Sequence, residues 1–165
     1  MTLNVTIRAC MQGQYVRTIA GRDVTDPIPS SPDIAIVSGT GPGKADLEFN
    51  DTRTLAASAS ENLDLSGTLI DAFGQVINAL NIKALEIGAA AGNTNDVVVG
   101  AAGANAWAGF LNAAGTITIK PGGRIVMVAP PGYPVTPTTS DLLKVANSAG
   151  TTPVTYTIRI IGASA

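Results

Sequence analysis

Between Thr2 and Arg8 every second side chain is apolar, Leu3, Val5 and Ile7 against Thr2, Asn4, Thr6 and Arg8, the period-two pattern of a strand with one buried face. Gln14 to Ile19 reads as its partner across a short turn at Gly13, so residues 1–20 are expected to form an N-terminal hairpin. Regularity then stops. Residues 21–43 hold Pro27, Pro29, Pro32 and Pro42 with Asp23, Asp26 and Asp33, a pattern that predicts an extended Pro/Gly-rich arm. Its apolar side chains, Ile28, Ile34, Ile36 and Val37, are too many for a solvated linker. They are expected either to lie on a partner surface or to fold back over one end of the domain.

Residues 44–165 read as the body of a single domain. Strands are expected at Ala45 to Phe49, Asn62 to Leu69, Leu80 to Ile87 and Val97 to Val99. The stretch DTRTLAASASE between the first two has helix propensity but no apolar stripe to dock, so it is expected to be extended or irregular. Ile70 to Asn78, with Asp71 and Gly74, reads as a turn that includes one short helical turn. Thr116 to Lys120, then Pro121-Gly122-Gly123, then Arg124 to Ala129 spells a hairpin, and Leu142 to Ala146 with Pro153 to Ile161 spells a second pair. The expected core is Ile117, Ile119, Val126, Val128, Leu143, Val145, Tyr156, Ile158 and Ile160. About nine or ten strands with turn signals every 8–12 residues define an all-β chain folded as an antiparallel sandwich or barrel.

Composition sharpens this picture. Eighteen glycines and ten prolines punctuate 165 residues, and aromatics are only 4%, so the core must be aliphatic. The absence of histidine removes the commonest general base and metal ligand, and the single cysteine, Cys10, allows no internal disulfide. Ten basic against twelve acidic groups leave a net charge of -2, which offers no footprint for nucleic acid. The charge divides unevenly, with residues 1–82 net acidic and 83–165 net basic, a split that suits head-to-tail contacts. No apolar run reaches the roughly 18 residues of a membrane helix, and the N-terminus lacks the apolar segment of a secretory signal.

The motifs that invite chemistry do not complete it. GTGPGKA at Gly39 to Ala45 falls one residue short of a phosphate loop and puts Ala45 where the hydroxyl should stand. Asp64, Asp71 and Asp96, the last beside Asn93 and Asn95, read as turn-formers rather than a calcium site. Neither Ser-x-x-Lys nor G-x-S-x-G occurs, so no catalytic, metal or cofactor residue is assigned. Cys10 reads as a small buried hydrophobe. Trp107, Phe110 and Tyr133 are aromatics set among small residues or prolines, as interface anchors or as core plugs under a loop.

Three blocks, ADLEFNDTRTLAASASENLDLSGTLIDAFGQ, NIKALEIGAAAGNTNDVVVG and IKPGGRIVMVAPPGYPVTPTTSDLLKVANSAGTTPVTYTIRIIGASA, resemble a family of small virion proteins of tailed bacteriophages and prophages, the head decoration or cement proteins. The resemblance covers Ala45 to Ala165. It implies a jelly-roll β-sandwich on the capsid exterior, made in the bacterial cytoplasm, with the major capsid protein as partner and self-association as a dimer or trimer. It brings no catalytic motif and no cofactor. A head fibre or glycan-binding module and a head-tail or tail-tube protein are the other virion roles open to such a chain. The candidate interface residues are Ile28, Ile34, Ile36, Val37, Trp107, Phe110 and Tyr133.

Overall fold

The computed structural model describes residues 2–165, so residue 1 of the expected hairpin lies outside it. Eight strands build the body: β6 (Leu47–Leu55), β7 (Ser60–Asp64), β10 (Asn81–Ala89), β11 (Val97–Gly100), β12 (Thr116–Ile119), β13 (Arg124–Pro134), β14 (Leu142–Asn147) and β15 (Val154–Ala163). They form two four-stranded antiparallel sheets, β13-β10-β15-β6 and β12-β11-β14-β7. One hydrophobic cluster joins their inner faces. Phe49, Leu85, Ile87, Tyr156, Ile158 and Ile160 come from the first sheet and Leu63, Val97, Val99, Ile119, Leu143 and Val145 from the second. No helix occurs among the described residues, and the chain is an all-β, sandwich-like protein.

The ladders are nested: β6 pairs with β15, β7 with β14, β10 with β13 and β11 with β12. Only the innermost pair is a hairpin. The two hairpins expected in the last third are therefore corners where the chain changes sheet. At Pro121-Gly122-Gly123 the cause is a set of backbone bonds to the end of β10: Gly122 N–H donates to Ala89 O (3.1 Å) and Ala89 N–H to Gly123 O (2.9 Å). These carry the following residues onto β10 and away from β12. Between β14 and β15, two buried amides hold the crossing loop. Asn147 Nδ2 donates to Ala56 O (3.0 Å) and Thr152 O (2.7 Å), and Asn95 Nδ2 donates to Asn147 Oδ1 (3.0 Å) and Thr152 O (2.9 Å).

Six of the nine expected core residues are buried: Ile119, Leu143, Val145, Tyr156, Ile158 and Ile160. Ile117 packs partly against the cluster. Val126 and Val128 are on the wrong face. In β13 it is Ile125 and Met127 that turn inward, while Val126 is 38% exposed. A run of apolar residues at consecutive positions does not declare its inner face, and the register on β10 decides it. Further along, Pro130 and Pro131 lack the N–H groups that would continue the ladder, and Ala129 to Gly132 bulge out opposite Lys83. The Lys83 ammonium is buried there and donates to Pro131 O (2.7 Å), and desolvation pushes its pKa below the ordinary lysine range.

A polar bridge closes the side of the sandwich between β6 and β7. Glu61 of β7 accepts Arg53 Nη1 (2.6 Å) on one oxygen and the Tyr156 hydroxyl (2.9 Å) on the other, while Arg53 Nε also reaches Asp51 (2.9 Å). Burial, then the bond to Glu61, pushes the Tyr156 phenol far above the usual tyrosine value. The sign of the resulting linkage is definite: the folded chain keeps a proton that the unfolded chain releases above about pH 10. Stability from this group is full below that pH and is lost as pH rises through it. The thermal midpoint should fall in alkaline buffer more steeply for the natural chain than for Tyr156→Phe. Equal alkaline slopes for the two would show that Tyr156 is not the coupled group.

Candidate interaction surface

The first forty-odd residues pair differently from the sequence expectation. β1 (Val5–Ile7) takes as its partner not Gln14 to Ile19 but β4 (Ile34–Ser38), which is also joined in parallel by β5 (Lys44–Ala45). Between β1 and β4 the chain makes an excursion as a hairpin of β2 (Gly13–Ile19) and β3 (Arg22–Ile28). The hairpin turns through Ala20 (φ 51°) and Gly21 (φ 77°), both left-handed, a two-residue loop of the kind that matches strand twist. Pro27 is accommodated at the end of the hairpin, Pro29 and Pro32 in the return to β4 and Pro42 in the turn before β5, so four prolines do not prevent two strands here. At the neck, Arg8 Nε bonds Asp33 Oδ2 (2.9 Å).

Every residue of β2 and β3 is exposed, and the two strands form a sheet of their own. Register then sorts their side chains. Tyr15 lies opposite Asp26, Arg17 opposite Val24 and Ile19 opposite Arg22, and Ile28 closes the row opposite Gly13. One face thus carries Tyr15, Ile19, Val24 and Ile28 together with Arg17, Arg22 and Asp26. The other carries Gln14, Val16, Thr18, Asp23, Thr25 and Pro27. The first face is apolar with a basic margin, and nothing among the described residues covers it: Tyr15 is 64% exposed and Ile19 and Val24 are each 53% exposed. An isolated two-stranded hairpin is marginal in water, and an amphipathic one stands only when something packs on its apolar side.

Of the residues expected at an interface, Ile28 belongs to this face and Val37 is exposed on β4, whereas Ile34 is half-buried and Ile36 is fully buried beside β1. The segment 21–43 is thus divided between a projecting strand and a strand returned to the body. Trp107, Phe110 and Tyr133 meet in one cluster, Trp107 lying edge-on to Phe110 (5.7 Å between centroids) and to Tyr133 (6.5 Å). Trp107 is 5% exposed, its N–H donates to Leu142 O and its Nε1 to Pro134 O, both at 2.9 Å. Cys10 is exposed, contrary to its reading as a buried hydrophobe, because the chain there has left β1 and not yet entered the hairpin.

A second hairpin stands beside the sheets. Ile70 to Asn78 contains no helical turn but includes β9 (Val76–Asn78), which pairs with β8 (Ser66–Ile70). Leu69, Ile77 and Ala79 are buried, so Ile70, Val76 and Leu80 point outward with Phe73 at the tip, 69% exposed. A groove of about 760 Å³ runs beneath β1 and the residues after it, floored by Ala84, Val126 and Ile161 and by Glu86 held between Arg124 and Arg159. The described residues include no group of three or more His, Cys, Asp or Glu able to hold a metal, and no helix long and apolar enough to cross a membrane. Comparison with known proteins finds no matching family model, curated protein or solved structure.

Proposed function

We propose that this chain is a structural protein of a tailed-bacteriophage particle, a decoration protein that sits on the outer face of the capsid and cements neighbouring major capsid subunits. The observation that carries the reading is the β2–β3 hairpin, an uncovered amphipathic projection on a folded sandwich, suited to join its own body to a neighbouring surface. The resemblance of residues 45–165 to such proteins supports it. So does the nested pairing of eight strands, β6 with β15 inward to β11 with β12, because a long hairpin rolled into two four-stranded sheets is the jelly-roll topology common among capsid proteins. Copies held at symmetry-related positions and tied to one another bind with avidity, which is how a small domain stiffens a shell.

Co-sedimentation with bare capsids tests this. The natural chain should pellet with them and raise their thermal disruption temperature. A variant in which Gln14 to Pro27 is replaced by a short Gly-Ser turn should lose most of both effects while its own thermal midpoint stays unchanged, since Gly13 and Ile28 are already paired. If the natural chain stays in the supernatant, the reading fails.

A further inference from the structure

We infer that the apolar face of the β2–β3 hairpin docks on the Ile70–Leu80 surface of a second copy of this chain, in a head-to-tail contact. The contact specifies the self-association contained in the proposal above, but it needs no capsid, so its failure and the failure of that proposal are distinguishable.

Among the described residues, nearly all the large hydrophobic side chains left exposed fall into two places. One is the hairpin with Met11 at its base, and the other is the β8–β9 turn with Leu80. The two patches differ in charge. Arg17 and Arg22 share the hairpin face with Tyr15, Ile19, Val24 and Ile28, with Asp26 the one acid on that face. Among residues 65–82 Asp71 is the only ionisable side chain. Its Oδ1 accepts the Phe73 and Gln75 amides (both 2.8 Å), and among the described residues no donor reaches its Oδ2. That oxygen is open to an incoming guanidinium beside the exposed Phe73 ring.

The two patches do not meet within one chain, because β2 and β3 are laddered only to each other and every residue in them is exposed. Hairpin-to-hairpin pairing is the weaker arrangement, since it brings two basic faces together. Each chain therefore carries one apolar basic face and one apolar acidic face, which is the pairing a second copy supplies. Because the two halves are different surfaces, the contact is heterologous: it closes a ring if the rotation between copies allows and otherwise continues.

Sedimentation velocity on the full chain, with two variants, decides the matter. Ile19→Ser/Val24→Ser disables the hairpin face and Phe73→Ser/Val76→Ser the other, all at exposed positions. The natural chain should associate as concentration rises, each variant alone should remain monomeric, and an equimolar mixture should form a heterodimer and nothing larger. A natural chain that stays monomeric at the highest attainable concentration overturns the inference. So does either variant associating on its own, or a mixture that stays monomeric although circular dichroism shows both partners folded. Should the second variant unfold, Arg17→Glu/Arg22→Glu leaves both apolar faces intact. It should weaken association about fivefold and reverse its dependence on salt, added salt now strengthening the contact, and association unchanged by it overturns the inference.

Discussion

Ile158→Ala is expected to lower the stability of the domain by about 3–5 kcal/mol, towards the upper end for a large-to-small change in a core. Ile158 sits at the middle of β15, with β10 on one side and β6 on the other, and is fully buried. A side chain at a sheet edge leaves a gap that neighbours can close. Here both flanking strands are fixed by their own ladders and the opposing sheet lies above, so the cavity persists. Val126→Ala, on the outer face of β13, should cost less than about 1 kcal/mol. Denaturant midpoints for the two variants check the contrast, and equal values would mean that Ile158 and Val126 are not divided between an inner and an outer face.

The second large effect concerns Trp107, the only tryptophan in the chain. Trp107→Ala should cost about 3–5 kcal/mol, because it empties the centre of the aromatic cluster and frees the Ala/Gly-rich stretch around it. That stretch is otherwise held by Phe110, packed on the core, and by its backbone, Asn105 O accepting the Asp141 and Leu142 amides (both 3.0 Å) and Ala106 O the Ser140 hydroxyl (3.0 Å). Its fit to the indole is close enough that a methyl group on Gly109 would lie 2.3 Å from the ring, so Gly109→Ala should be destabilising as well. Trp107→Phe should cost about 1–3 kcal/mol, since Pro134 O then loses its donor. Unfolding followed by circular dichroism measures these. An interface anchor would behave in the opposite way, leaving the monomer as stable as before and weakening its association.

Strands were legible where apolar and polar residues alternate cleanly, as at Thr116 to Ile119 and Val154 to Ile160. Which strands pair was not. The turn at Pro121 to Gly123 has the residues of a hairpin, and what makes it a corner is Ala89, more than thirty positions upstream and invisible to any local pattern. The candidate surface was half legible for a related reason. Ile28 stands out among prolines, but Tyr15, Ile19 and Val24 become one face only once Ala20 is known to adopt the left-handed conformation usually given to Asn or Gly. An Asn-Gly at that position would have announced the hairpin. At Ile125 to Ala129 five apolar residues in succession conceal which side is inner, and only pairing with β10 distinguishes Ile125 and Met127 from Val126 and Val128.

The position of β15 has a consequence for how the molecule is made. The last strand in the chain order is not an edge but an interior strand of its sheet, hydrogen-bonded to β10 on one flank and to β6 on the other. Until those residues have been synthesised, β6 has no ladder partner and β10 lacks one of its two. Closing the outermost pair joins segments about a hundred residues apart, which makes the final zippering slow compared with that of the β11–β12 pair at the centre of the nest. A nascent chain of this design therefore emerges with its apolar inner faces uncovered and acquires its shape only after translation has passed Ala163, in one late and cooperative event.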